Sequence, residues 1–305
     1  MTREQDFVAG AAFFTVLVLA SCGGGREAAP AATPAVIATS TVHVATPVTR
    51  PASSERSTFK HRPPEVGDRI RVQTDTLSRT TRADGVAEGE RYISDYELAV
   101  RGATDSAVTE AFVVFHKNER HAWDGQDDDY RFAPKPTPLE GKRLRMRAEP
   151  LSVEEETGGP VSAEISHLAL AAVSDIGMRG AMDSAIPDRE LAIGERVDAL
   201  APALVRALNP RTWHLASGGA TLRALTEEDG TFEASLEVQT ESGRTLSLAG
   251  TVRVGRDDRT ILEIRLRGTY KEANASTTGP SGGELVYLRT AELQRNKSKE
   301  KARGP

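Results

Sequence analysis

In the last third of this chain of 305 residues, apolar and polar side chains alternate so regularly that a β-sheet is the expected structure. Successive side chains of a strand point to opposite faces, so alternation over 231–240, 244–255, 259–270 and 284–290 predicts half-buried strands. The predicted apolar face carries Phe232, Leu236, Val238, Leu246, Leu248, Val252, Val254, Leu262, Ile264, Leu266 and Tyr270. The opposite face carries Glu233, Glu237, Arg253, Glu263, Arg265 and Arg267.

The links between these strands are short and polar. EEDGT (227–231), ESGR (241–244) and GRDDR (255–259) contain the Gly and Asp residues that favour tight turns. Links of this length join antiparallel neighbours. The last four or five strands are therefore predicted to form an antiparallel meander.

The first half of the chain contains similar segments at 67–77, 90–100, 109–117 and 142–148. The third of these has four consecutive apolar residues, which favours a more deeply buried strand. In the fourth, KRLRMRA, arginines alternate with apolar residues and are expected to face Glu or Asp across the sheet. The same holds for the arginines of EIRLRGT (263–269), and the alternative is that these arginine rows form a basic groove for an anionic ligand.

Two segments have helical rather than strand periodicity, and they can cover the apolar face of the sheet. In residues 160–177 the apolar set is Ile165, Leu168, Ala169, Ala172, Val173 and Ile176, between Pro160 and Gly177. In residues 195–210 it is Val197, Leu200, Leu204, Val205 and Leu208. The predicted fold class is α+β, mainly β: twisted antiparallel sheet, as a half-barrel or two related β lobes, covered by one or two helices.

A short sequence match favours the two-lobe alternative. VGDRI (66–70) and IGERV (193–197) share a glycine, an acid, an arginine and aliphatic residues, and each follows a proline. The predicted organisation is a globular domain at 63–291, with lobes at 63–183 and 184–291. Residues 22–62, rich in Ala, Pro and Thr, are predicted to be a disordered tether, and 292–305 a disordered basic tail.

Near the N-terminus, residues 7–19 form an uncharged apolar run that ends just before Cys22, the single cysteine of the chain. The run is shorter than the roughly 20 residues that cross a bilayer and has the length of a signal-peptide core. Small residues follow it, as signal cleavage requires. With one cysteine the chain forms no internal disulfide and no paired-cysteine metal or redox site.

Leu19-Ala20-Ser21-Cys22 resembles the lipobox of bacterial lipoproteins: a leucine, two small residues and a cysteine. The resemblance implies that residues 1–21 are a signal peptide cleaved between Ser21 and Cys22. It also implies that the Cys22 thiol carries a diacylglyceryl group and the new amino terminus a further acyl chain such as palmitate. The n-region MTREQD departs from the pattern, because its acids cancel its positive charge. An ordinary cleaved signal is the alternative.

Several chains on one residue hold a soluble domain to a membrane, whereas one chain anchors only marginally. Lipoprotein sorting by the residue after the cysteine, here Gly23 and not Asp, implies the outer membrane of a bacterial envelope. The domain, including LEGKRLRM (139–146), also loosely resembles uncharacterised β-rich secreted lipoproteins, a family that implies no activity.

Candidate catalytic and metal-binding residues are sparse. The acids of WDGQDDDY (123–130) match no calcium-loop spacing, so a solvated loop is the preferred interpretation. His116 and His121, five residues apart on a predicted strand, are expected to point to opposite faces. His214 and Ser217 are too close in sequence to indicate a triad, and His167 is isolated. We predict no catalytic, cofactor-binding or metal site.

The net charge of −5 argues against a nucleic-acid partner. The sequence therefore predicts a lipid-anchored envelope protein that is not an enzyme and serves as a binding or structural module. Its predicted partners are the membrane, through the anchor, and a hydrophobic ligand or another envelope protein. The alternatives are a periplasmic carrier of lipid or another hydrophobic ligand, and an envelope hydrolase using Asp or His residues near 116–129.

Overall fold

The computed structural model describes residues 55–82, 87–123, 133–173, 176–177, 185–208, 213–240, 243–271 and 280–295. Within these ranges the chain forms thirteen strands and two helices. The first half contains β1 (Arg56–Ser57), β2 (Arg69–Arg82), β3 (Ala87–Ala103), β4 (Val108–Trp123), β5 (Ala133–Pro136), β6 (Arg143–Ala148), β7 (Leu151–Glu155) and α1 (Ala163–Ala172). The second half contains β8 (Leu191–Ala192), α2 (Leu200–Leu208), β9 (Trp213–Leu225), β10 (Asp229–Thr240), β11 (Thr245–Gly255), β12 (Ile261–Lys271) and β13 (Pro280–Gln294).

One antiparallel sheet of eleven strands forms most of this part of the chain. Its order is β7-β6-β4-β3-β2-β13-β12-β11-β10-β9, and β5 pairs with β4. The remaining strands, β1 and β8, pair with each other. The predictions of a mainly β fold with helices and of a C-terminal antiparallel meander are confirmed.

The pairing of β13 with β2 joins the two halves of the chain into this sheet. The ladder runs from Gln294 opposite Arg69 to Pro280 opposite Arg82. Residues more than 200 positions apart therefore become neighbours, and the last strand of the meander lies beside the first long strand of the first half.

Two separate hydrophobic clusters lie on one face of the sheet, which we call the inner face. The α2 core consists of Phe59, Ala185, Ile186, Leu191, Val197, Leu200, Ala201, Ala203, Leu204, Val205, Ala220, Leu222, Phe232, Ala234, Leu236, Val238, Leu246, Leu248, Val252, Val254, Ile264, Leu266, Tyr270 and Leu285. The α1 core consists of Val72, Tyr96, Leu98, Val100, Val108, Ala111, Val113, Phe115, Leu139, Leu144, Met146, Val153, Ala169, Val173 and Ile176. Each helix covers the part of the sheet built by its own half.

The predicted apolar face of the meander is buried in the α2 core with one exception. A register irregularity between β11 and β12 pairs Arg253 with Glu263 but Val254 with Ile261, so Leu262 is the extra residue. An extra residue reverses the alternation beyond it. Ile261 therefore packs against the core in place of Leu262.

The two matched segments form the same turn. Gly67 and Gly194 have φ angles of 97° and 90°, values that favour glycine. Gly67 N donates to Val100 O at 3.0 Å, and Val100 N donates to Asp68 O at 2.9 Å. The corresponding bonds of the second turn join Gly194 N to Leu222 O at 2.7 Å and Leu222 N to Glu195 O at 2.9 Å.

The acid of each turn caps it in the same way. Glu65 N donates to the Asp68 carboxylate at 3.0 Å, and Ala192 N donates to the Glu195 carboxylate at 3.0 Å. The sequence match at 66–70 and 193–197 therefore corresponds to one local structure used twice.

The folded region reaches beyond the predicted bounds of the domain at both ends. Phe59, within the predicted tether, is 2% exposed, and its ring lies 5.6 Å from that of Phe232. Arg295, within the predicted tail, donates to Asp68 and Asp258, each at 2.8 Å. Lys60 N also donates to Arg256 O at 2.6 Å, so both ends of the described chain contact the link between β11 and β12.

Both helices are shorter than the periodic segments that predicted them. Ser162 caps α1 by accepting a hydrogen bond from Ile165 N at 3.2 Å. The second helix begins at Leu200, because residues 194–197 first extend along β9. Pro202 then lies in the first turn of α2, where a missing N–H breaks no helical bond.

Candidate functional site

The residues predicted for lipidation and cleavage, Ser21 and Cys22, lie outside the described residues. The acids of the 123–130 segment, Asp124 and Asp127–Asp129, lie outside them as well. The predictions at these positions stay predictions.

His116 and His121 do not point to opposite faces as expected. The register between β3 and β4 shifts so that Asp95 lies opposite Lys117 and Tyr96 opposite Phe115, which makes His116 the extra residue of a β-bulge. The bulge resets the alternation, so both histidines lie on the outer face, which is the face opposite the two cores.

The two histidines nevertheless have different neighbours. His121 Nε2 lies 2.9 Å from Glu119 Oε2, whereas His116 lines a cleft further along the strand. A hydrogen bond from Lys117 holds the pKa of Glu119 below its usual value, with His121 adding to the effect. Among the described residues, no group of three or more His, Cys, Asp or Glu side chains is placed to hold a metal ion.

The remaining candidates are dispersed. His214 and Ser217 lie on β9 opposite Gln239 and Glu237, and both are exposed. His167 is exposed on α1. Residues 279–283 read Gly-Pro-Ser-Gly-Gly, a match to the G-x-S-x-G pattern that sequence reasoning did not use. A nucleophile elbow needs a strand-to-helix turn, whereas residues 280–283 form the start of strand β13.

The arginines of β6 meet acids of neighbouring strands, as expected. Arg143 pairs with Glu156 at 3.3 Å and Arg147 with Glu154 at 3.1 Å, while Arg145 lies 2.5 Å from Glu110. Exposed pairs of this kind contribute little to stability, with a median of about 0–1 kcal/mol. They do neutralise most of the guanidinium charge on this part of the outer face.

Arg71 and Asp95 form a bidentate pair on the outer face. The guanidinium donates through Nε and Nη2 at 3.0 and 2.8 Å, and Gln73 adds a third bond to the same carboxylate at 3.0 Å. The bond from Arg71 is the main reason that the pKa of Asp95 is lowered.

A cleft of about 320 Å³ opens on the outer face across β2, β3, β4 and β6. We call it the outer cleft; its lining residues are Arg69, Glu97, Ala99, Arg101, Phe112, Val114, His116, Arg143 and Glu156. Cross-strand pairing places Ala99 between Arg69 and Phe112. Because Ala99 has a single methyl group between two long side chains, the surface is depressed there.

The charges of the outer cleft are unevenly paired. Arg69 contacts Glu97 at 3.0 Å and Arg143 contacts Glu156 at 3.3 Å. Arg101 has no carboxylate partner among the described residues, and its guanidinium instead lies 4.7 Å from the centre of the Phe112 ring. Such stacking leaves the in-plane N–H groups of an arginine available to an acceptor.

A buried polar network lies on the inner face near the start of β6. Asn118, fully buried, donates to Tyr92 Oη at 2.7 Å and to Ser94 Oγ at 3.1 Å, and accepts from Thr137 Oγ1. Burial raises the pKa of Tyr92, which keeps its hydroxyl protonated at neutral pH. The network fastens the segment after β5 to the sheet, and the Glu140 carboxylate accepts a further bond from Asn118 N at 3.4 Å.

Side chains fill the inner face beneath α2. Leu200, Leu204, Leu222 and Phe232 have no exposed surface, and Tyr270 closes the far side of the cluster. These side chains are packed together in the described part of this core.

No helix of the described residues is long and apolar enough to cross a membrane. No family model matches the chain, and no curated protein matches it. Among solved structures, the COG4313 outer membrane channel from Pseudomonas putida F1 aligns with 77% of this chain and 98% of its own, at 12% identity and a TM-score of 0.23. A TM-score this low supports no inference about the fold or the function of this chain.

Proposed function

We propose that this protein is a bacterial envelope lipoprotein whose sheet domain is a non-catalytic binding module. Acyl chains on Cys22 hold it to the membrane, on the outer membrane by the Gly23 sorting pattern, and residues 23 to about 54 serve as the tether. Two or three chains on one residue suffice for a stable anchor. The sequence Leu19-Ala20-Ser21-Cys22 after the apolar run supports the anchor.

The observation that carries the binding role is the outer cleft. Its face of the sheet is free of helices in the described residues, and it combines an apolar floor with a guanidinium, Arg101, that has no carboxylate partner there. Convergent polar groups above an apolar surface are the usual form of a ligand site.

The alternative of a lipid carrier needs a large apolar cavity, and the fully buried Leu200, Leu204 and Phe232 of the α2 core do not favour one there. A hydrolase needs a nucleophile or activated water beside a base. The dispersed positions of His116, His121, His167 and His214 do not favour one in the described residues.

Fatty-acid labelling of the full chain tests the anchor. In a Gram-negative host given an alkyne-tagged palmitate, the wild type should be labelled, begin at Cys22 and sediment with membranes. Cys22→Ala should be unlabelled and retain residues 1–21. Ser21→Ala keeps a small residue before the cleavage point and should behave as the wild type, which makes it the matched control.

The anchor proposal is wrong if the wild type carries no label and its mature form begins upstream of Cys22. It is equally wrong if Cys22→Ala is labelled as strongly as the wild type. Neither result depends on the outer cleft.

A further inference from the structure

We propose that the outer cleft binds a small organic anion, in which a carboxylate or phosphate is joined to a flat apolar group, and that Arg101 binds the anionic end. This inference rests on the proposed binding role and names the class of ligand. The observations that carry it are the charges, the floor and the size of the cleft.

The charge balance of the cleft favours an anion. Three guanidinium groups, of Arg69, Arg101 and Arg143, face two carboxylates, of Glu97 and Glu156. Each carboxylate already contacts one arginine, which offsets its negative charge and weakens its attraction for a cationic ligand. Arg101 is left with its positive charge uncompensated among the described residues and with a fork of donors that matches a carboxylate or phosphate.

The floor of the cleft favours a flat apolar body. Ala99 and Val114 lie side by side on β3 and β4, and the Phe112 ring lies next to them. An aromatic group placed over Ala99 would contact these three side chains, with its anionic substituent directed at the Arg101 guanidinium. Phe112 already holds that guanidinium in place by stacking, so little side-chain entropy is lost on binding.

The size of the cleft excludes large ligands. A volume of about 320 Å³ lies at the lower end of the range of ligand pockets, roughly 300–1,000 Å³. A bicyclic carboxylate fits this space, whereas a complete phospholipid with two acyl chains does not.

Equilibrium dialysis of the full chain in a nonionic detergent, with equal detergent in both chambers, tests the inference. The probes are 2-naphthoate, its neutral isostere 2-naphthamide and the cationic 2-naphthylmethylamine. We expect saturable binding of 2-naphthoate, at least about tenfold tighter than of the amide, because a charge-assisted bond to Arg101 is lost with the carboxylate. Shifts of the His116 ring signals in NMR spectra should place the probe in the cleft.

Two variants separate the charge from the shape of the cleft. Arg101→Ala should weaken 2-naphthoate binding about tenfold and leave 2-naphthamide binding nearly unchanged. Ala99→Leu fills the depression without changing any charge and should weaken both probes. Arg223→Ala is the matched control, because it removes one outer-face arginine, paired with Glu233, from the other half of the sheet. It should bind 2-naphthoate as the wild type does.

The inference is overturned if 2-naphthamide binds as tightly as 2-naphthoate, or if Arg101→Ala binds 2-naphthoate normally. If a neutral or cationic probe binds instead and Ala99→Leu abolishes that binding, the ligand class is wrong but the binding role stands. If Ala99→Leu changes the binding of none of the probes, the outer cleft is not the binding surface, and the binding role fails with the inference. Thermal unfolding of each variant shows whether it is folded. If Ala99→Leu does not fold, Arg101→Ala still decides the test, because Arg101 is exposed.

Discussion

The two halves of the domain begin with the same turn and continue differently. After the Gly67 turn, the chain extends directly as β2, which takes a central place between β3 and β13. After the Gly194 turn, only Arg196 and Val197 continue along β9 before the chain leaves the sheet as α2. As a result, β9 is an end strand of the described sheet, whereas its counterpart β3 is internal.

This difference shows that the turn and the element after it are specified separately. The turn depends on one glycine with a positive φ angle and one acid that accepts a backbone N–H. The next element depends on the spacing of the residues that face the core. In 70–76 every second residue does so, whereas in the second half the apolar residues are at 200, 204, 205 and 208. Period two builds a strand and period 3.6 a helix, even after identical turns.

The acids of the two turns also have different surroundings. Asp68 is 1% exposed and binds Arg295, which in turn binds Asp258 of the β11–β12 link. Glu195 is partly exposed and binds Arg189 on a neighbouring loop. Its pKa is lowered chiefly by that arginine and also by Ala192 N.

The largest effect is expected from truncating one phenylalanine in each core. Phe115→Ala in the α1 core and Phe232→Ala in the α2 core should each lower the free energy of unfolding by about 3–5 kcal/mol, because both rings are fully buried. The ladder between β2 and β13 couples the two halves, so the whole domain should unfold in a single transition. Each substitution should shift that transition. Urea denaturation, monitored by circular dichroism and by tryptophan fluorescence, measures both the free energy of unfolding and the number of transitions.

The chain has two tryptophans, Trp123 at the end of β4 and Trp213 at the start of β9, so each half carries its own probe. Trp123→Phe and Trp213→Phe separate the two signals. Two transitions, of which Phe115→Ala moves only one, would show that the halves unfold independently and that the shared sheet does not couple them.

A smaller effect is expected from removing the arginine that pairs with each turn acid. Arg295→Ala removes the ion pair with the buried Asp68 carboxylate and should lower the free energy of unfolding by about 3 kcal/mol. Arg189→Ala should cost far less, because water screens its exposed pair with Glu195. Thermal or urea unfolding at neutral pH compares the stability losses of the two variants.

Asp68→Asn is the control for the first pair, since it removes the charge but keeps the shape of the side chain. In the Asp68→Asn background, Arg295→Ala should cost less than it does alone. Equal losses for Arg295→Ala and Arg189→Ala would contradict the difference in burial between the two turns.

The smallest effect concerns the glycines that the turns share. Gly67→Ala and Gly194→Ala should each cost about 1–2 kcal/mol, since both residues have positive φ angles. Nothing lies within 4 Å of a methyl group added at Gly194, so strain in the backbone alone determines the cost there.

Gly159→Ala supplies the control, because this glycine also has open space around it but no positive φ angle. It should be neutral or slightly stabilising. If Gly194→Ala were as harmless as Gly159→Ala, the two turns would not depend on the same backbone conformation.

Much of the secondary structure could be predicted because it is encoded locally. The segments with period two became β2, β3, β4, β6 and β10–β13, and the short links at 227–231, 241–244 and 255–259 join antiparallel neighbours as expected. Bulges caused the errors. One at the start of β12 exchanged Leu262 for Ile261, and one at His116 placed it on the same face as His121. A bulge depends on the partner strand, which the alternation of one strand does not encode.

The candidate site could be predicted only in outline. Sequence patterns suggested arginine rows that face acids, and they left a basic groove as the alternative. The acidic partners of Arg143 and Arg145 confirm the first, whereas the groove stays a proposal that rests on Arg101, a residue outside those rows. Arg101 itself carried no signal in the sequence, since its place over Phe112 arises from the pairing of β3 with β4.

By itself, the sequence determined eight of the described strands, the two helices, the two matching turns and the apolar run before Cys22, because each depends on residues close together in the chain. It did not predict β1, β5, β7, β8 or β9. Only the tertiary structure decided that β13 pairs with β2, that Arg295 binds Asp68, and that Ala99 leaves a depression beside Arg101. These contacts join positions on different strands, some more than 200 residues apart, and local periodicity carries no information about which distant partner will be chosen.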